Sequence, residues 1–143
     1  MSLLVIVLTS FVGSVTYAII TNCPPKSLIY GGSVGAVAGF TQLELAQADH
    51  VPVIASVFLA TMLVALASEF LARYHKFPST IFLVPGILPL VPGTFAYETM
   101  FSVVRGHYTQ AIAQGVETLG WGLAIAVGIA TVSVGIRFTN PKH

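Results

Sequence analysis

Between residues 79 and 104 the chain carries an apolar run long enough to cross a bilayer, yet Pro85, Gly86, Pro89, Pro92 and Gly93 interrupt it as V-P-G-I-L-P-L-V-P-G. No continuous helix tolerates that pattern. Each proline lacks the amide that would bond the carbonyl four residues earlier, so the carbonyls of Ile81, Pro85 and Leu88 are expected to lose their helical partners. Hydrocarbon offers no water to replace them. Irregular backbone survives at membrane depth only where protein buries it or where it lines a polar cavity, and broken helices of this kind build ligand sites there. The alternative is a proline kink repaired by neighbouring helices, but three prolines in eight residues exceed what one kink needs.

The solvent follows from composition. Of 143 residues 55% are hydrophobic and 8% charged, against roughly 25% charged in soluble domains. Mean hydropathy is +0.88. The chain reads as an all-α integral membrane protein forming a single transmembrane domain over residues 1–143. A net charge of +1 with the basic residues scattered forms no patch for nucleic acid, which is excluded as a partner. The single Cys23 has no internal disulfide partner and reads as an ordinary thiol at a helix end.

Hydropathy divides the chain into five segments of spanning length, at about 3–20, 28–45, 53–72, 79–104 and 112–136, each near the roughly 20 residues that a bilayer core requires. Turn chemistry separates them, beginning with Pro24 and Pro25. The first segment has no basic flank of the signal-peptide kind and is read as a retained span. With five spans, Lys26, Arg73, Lys76, Arg137 and Lys142 fall on one side and Arg105 on the other, which places the N-terminus outside and the C-terminus in the cytoplasm. A re-entrant fourth segment would weaken that bias to four against two, so the broken segment is expected to cross.

In the second span Gly31, Gly35 and Gly39 recur every four residues, a stripe that lets another backbone approach closely. Gln42 extends the same face, either as part of the packing seam or as a polar contact to a substrate. The first span offers Ser10, Ser14 and Tyr17 as a mildly polar face. Glu69 has Arg73 four residues on, in the order that favours a helical ion pair, and is equally a candidate polar contact. Glu44 and Asp49 read as wet at the outer ends. Glu98 lies inside the fourth span about a turn past the break, where an ionisable group is costly and is a functional candidate by default. Its structural alternatives are a pair with Arg105 or a snorkel to the outer surface, and Glu117 is close enough in sequence to meet it across the 105–108 loop. His50, His75 and His107 sit in separate loops and form no metal-ligand set.

The stretch P-G-I-L-P-L-V-P-G-T-F-A-Y-E-T-M from Pro85 to Met100, with its Pro89, Pro92, Gly93 and Tyr97 pattern, resembles the small membrane subunit of the threonine/serine exporter family. The similarity is good over about 50–136 and rests on hydropathy, length and glycine content before that. It implies a secondary transporter of the cytoplasmic membrane of a prokaryote, split so that a larger five-span subunit supplies the other half. Its implied substrates are threonine and serine or, in other members, small dicarboxylates such as succinate. No cofactor is expected, and Glu98 is the candidate carrier should a proton be coupled. A helix restarting at Gly93 and Thr94 would aim free amides at a carboxylate, while orphan carbonyls and Glu98 suit an ammonium, which favours a zwitterion over a dianion. Thr94 is either a helix cap or a ligand contact, and Tyr97 either packs or gates. Two other classes stand beside the exporter: a small homo-oligomeric channel using the glycine stripe between copies, and a membrane enzyme, for which no nucleophile, base or metal spacing is present.

Overall fold

Among the described residues, three in the left-handed region close helices at the turns. Asn22 (φ 54), Lys76 (φ 57) and Gly106 (φ 78) each follow a helix end. In each case the next amide donates to a carbonyl five residues back: Cys23 to Ala18 at 3.0 Å, Phe77 to Ala72 at 3.1 Å and His107 to Ser102 at 2.9 Å. This closure pairs carbonyls that a helix C-terminus would otherwise leave open.

The computed structural model describes residues 3–47 and 52–139. Its elements are α1 (Leu3–Ile20), α2 (Pro25–Gln47), α3 (Val53–His75), α4 (Thr80–Ile87), a 3-10 turn (Leu88–Leu90), α5 (Gly93–Val104) and α6 (Tyr108–Thr139). The expectations for Asp49, His50 and Lys142 lie outside the described residues, as does the side chain of Arg137. Among the described residues there is no strand. Helix α2 begins three residues before its apolar core because Pro25 has the fixed φ of a first helical turn and no amide to leave unpaired there.

Helices α1, α3 and the Tyr108–Ile136 part of α6 are long and apolar enough to cross a membrane, and α4 with α5 makes a fourth if the bent pair is one span. Five segments were expected, and the difference is α2. At 23 residues it is as long as α3, but Lys26, Ser27, Ser33, Thr41, Gln42 and Glu44 dilute it.

Facing residues give the helix directions. Gly39 of α2 lies against Ile6 and Ser10 of α1 and Gly32 against Phe11 and Val15, so these two run antiparallel. Phe82 of α4 approaches His75 and Gly86 approaches Val64, so α4 is antiparallel to α3. On α6, Gly120 meets Ile54 and Gly128 meets Phe58 and Thr61, which makes α6 parallel to α3. Phe95 meets Trp121, and Ser102 bonds Gln114, so α5 is antiparallel to α6. It follows that α4 and α5 run in the same sense on either side of a 53° bend.

Helix α2 is packed by α1, α3, α4 and the 3-10 turn, and α3 by α2, α4 and α6. One core joins Val34, Ala38, Ala60, Val64 and Leu90, and a second joins Val57, Trp121 and Ala124 with Phe58 and Phe95 against it. The α1–α2 seam is lined by small residues, with Gly35 and Gly39 against Ser14 and Ser10, as expected where van der Waals fit rather than water drives helix association. Leu90 is fully buried against residues from the middles of α2 and α3, so the proline turn stands at mid-height in the bundle.

Candidate functional site

The interruption falls where the prolines place it, but its backbone is better satisfied than expected. The carbonyl of Pro85 accepts from the Leu88 amide, and that of Leu88 accepts from Val91 at 3.2 Å. Tight three-residue bonds thus take up two of the three carbonyls expected to be stranded, because the chain narrows into a 3-10 turn instead of simply losing its helix. The Gly93 amide, expected to be free, donates to the Val91 carbonyl at 2.8 Å. Ala96 donates to Pro92 at 3.1 Å, which leaves Thr94 and Phe95 as the donors of the first α5 turn without a carbonyl of their own. Thr94 does not cap the helix. The cap position is Pro92, and no side chain bonds there.

Beside this turn lies a shallow, largely open groove of about 220 Å³, lined by Thr9, Ser10 and Gly13 of α1 and by Leu88 and Pro89. Taking about 30 Å³ per water, that is room for roughly seven waters, or for a solute the size of a small amino acid. No charged side chain lines it. The Thr9 hydroxyl donates to the Val5 carbonyl at 2.8 Å, so its remaining capacity is as an acceptor. A side chain added at Gly13 would meet no atom within 4 Å. Ser10 belonged to the polar face read from the sequence, whereas Thr9 and Gly13 were missed. The available signal is their spacing, since Thr9, Ser10 and Gly13 share one face of α1.

The other candidates are brought together in part. Pro85 and Gly86 are buried in packing rather than cavity-lining: Gly31 faces Pro85, and a Cβ at Gly86 would stand 2.6 Å from Val34 and 3.1 Å from Val64. Gly35 and Gly39 face Ser14 and Ser10 of α1, so the stripe is divided between two neighbours. The Ser14 hydroxyl is buried with no hydrogen-bond partner. Gln42 is half-buried and does not line the cavity. Glu69 and Arg73 approach to 3.9 Å, a long and partly exposed pair that contributes little.

Gly93, Thr94, Tyr97 and Glu98 are exposed on α5, away from the cavity. Tyr97 stacks on Phe101 with ring centroids 5.9 Å apart. Glu98 is not paired with Arg105, whose guanidinium lies 4.1 Å over the Phe101 ring. It accepts instead from Gln114 at 3.4 Å, while the carbonyl of that amide accepts from Ser102 at 2.9 Å. Gln114, rather than Glu117 one turn later, is therefore the residue opposite Glu98. His75 is held among Tyr30, Tyr74 and Phe82 where α2, α3 and α4 meet. Among the described residues no three of His, Cys, Asp and Glu stand together as metal ligands.

The family described as Threonine/Serine exporter, ThrE, matches residues 6–134. An uncharacterized protein of Haemophilus influenzae is 29% identical over 108 residues, which cover 76% of this chain and 36% of that relative. The chain thus spans little more than a third of the relative's length. No solved structure matches it.

Proposed function

The chain belongs to the threonine/serine exporter family, and from that premise we propose that it is one subunit of a secondary transporter that moves small amino acids out across the cytoplasmic membrane of a prokaryote. The observation that carries this reading is the cavity at the proline turn. It stands at mid-height in the bundle, where alternating-access transporters hold their substrates beside broken helices.

The reading takes α1, α2, α3, the α4–α5 pair and α6 as five crossings, with the N-terminus outside. Support for a crossing pair comes from the parallel α3 and α6, since one odd passage must separate them. A straight α4 with its 3-10 turn rises about 18 Å, and α5 inclined at 53° adds about 11 Å, close to the thickness of a hydrocarbon core. Lys26, Arg73 and Lys76 lie at one end, at the start of α2 and the end of α3, as a cytoplasmic face requires.

A wall of Thr9, Ser10, Gly13, Leu88 and Pro89, with no charged side chain, suits a solute of zero net charge. A dianion would bring two negative charges to a cavity with no lysine or arginine in its wall, whereas a zwitterion carries its own counter-charge. Proton coupling through Glu98 belongs to this proposal, as does a larger partner subunit equivalent to the remainder of the Haemophilus influenzae relative. The test is threonine and serine efflux from cells lacking all homologues. The pair should restore efflux, the chain alone should not, and efflux from the single chain would defeat the two-subunit reading.

A further inference from the structure

We infer that Thr9 and Ser10 of α1 read the side-chain hydroxyl of the exported solute, so that the groove beside the proline turn selects β-hydroxy amino acids over apolar ones of the same shape. This assignment rests on the exporter reading above.

The serine and threonine hydroxyls of α1 are of two kinds. Thr9 and Thr16 each donate to the carbonyl four residues back, at 2.8 Å in both cases, as hydroxyls in apolar helices commonly do. Ser10 and Ser14 do not. Their hydroxyls rest against Gly39 and Gly35 of α2, and neither has a hydrogen-bond partner among the described residues. Ser14 is sealed inside the bundle, whereas Ser10 lines the groove. The groove wall thus carries, on adjacent residues, one oxygen that can only accept and one hydroxyl whose proton is unspent.

That pairing is the complement of a hydroxyl, which both donates and accepts: the solute oxygen accepts from Ser10 and donates to Thr9. A carboxylate only accepts and would set its lone pairs against those of Thr9, while an ammonium only donates and would leave the Ser10 proton unspent. On the other side of the groove Leu88 and Pro89 are apolar, so a β-carbon bearing a hydroxyl and a methyl finds a partner for each. Gly13 keeps the approach clear, with nothing within 4 Å of an added Cβ.

The experiment measures efflux of threonine and of valine, in which a methyl replaces the hydroxyl, from cells lacking all homologues and expressing this chain with the proposed partner subunit. Each rate is taken above that of the same cells without this chain, and the ratio of the two does not depend on how much protein is made. The wild-type chain should favour threonine by about tenfold, the scale of one or two neutral hydrogen bonds. Ser10→Ala and Thr9→Val should each bring the ratio close to one by slowing threonine. Ser14→Ala and Thr16→Val, which remove α1 hydroxyls outside the groove wall, should leave it unchanged. A ratio near one in the wild type, or one that survives both groove substitutions, would overturn the assignment while leaving the exporter reading intact. So would an equal fall with Ser14→Ala, which would make selectivity a property of the α1–α2 seam. Export of neither amino acid would overturn the exporter reading and the assignment with it.

Discussion

Glycines that look alike in the sequence have different consequences once their neighbours are known. A Cβ at Gly31 would rest 3.6 Å from Pro85, an ordinary contact, whereas at Gly35 it would collide with Ser14. Replacing glycine by alanine within a helix gains about 0.5–1 kcal/mol from the backbone, while overpacking costs about 1–3 kcal/mol. Gly31→Ala should therefore keep or slightly raise thermal stability in detergent, and Gly35→Ala should lower it. Equal effects would mean that the stripe does not divide as described. The spacing of these glycines was legible as a packing seam. Which neighbour each one meets was not, because that depends on how α1 and α4 share the face of α2. The same limit hid Thr9 and Gly13: on α1 alone they are ordinary small residues, and only the proline turn across from them makes a cavity wall.

At the scale of the element, the break itself was plain in the sequence because proline acts through covalent geometry. The fate of its carbonyls was not. Whether a chain losing α-helical bonds leaves them open or tightens into three-residue bonds depends on backbone angles the sequence pattern does not encode, and here Pro85 and Leu88 are paired by tightening. Changing Pro89 and Pro92 to alanine restores two amides and removes the restraint that starts α5 anew at Gly93. The double variant should insert at normal abundance with equal or greater helicity by circular dichroism, yet lose efflux. Normal efflux at normal abundance would reduce the break to a kink. The α5 side chains are a second case in point. Glu98 was recognisable as costly at membrane depth, but its partner Gln114 sits on α6, and nothing local in the sequence pairs them.

Across the whole molecule, direction follows from packing and orientation from charge. Thr80 stands at the end shared with Lys26 and Lys76, while His107 stands at the far end of the α4–α5 run, and both are exposed. In a Cys23→Ser background, Thr80→Cys should resist an impermeant thiol reagent in intact cells and His107→Cys should react. The reverse labelling would invert the orientation, and equal labelling would mean that α4 and α5 turn back together. The central claim is that substrate passes through the space between α1 and the proline turn. Gly13 tests it most directly, since it lines that space, has nothing within 4 Å of an added Cβ, and sits in a helix that alanine-like backbones favour. Threonine efflux from cells carrying Gly13→Leu together with the proposed partner subunit should fall to background while the variant chain remains at normal abundance in the membrane. Undiminished efflux with the cavity filled would contradict the account.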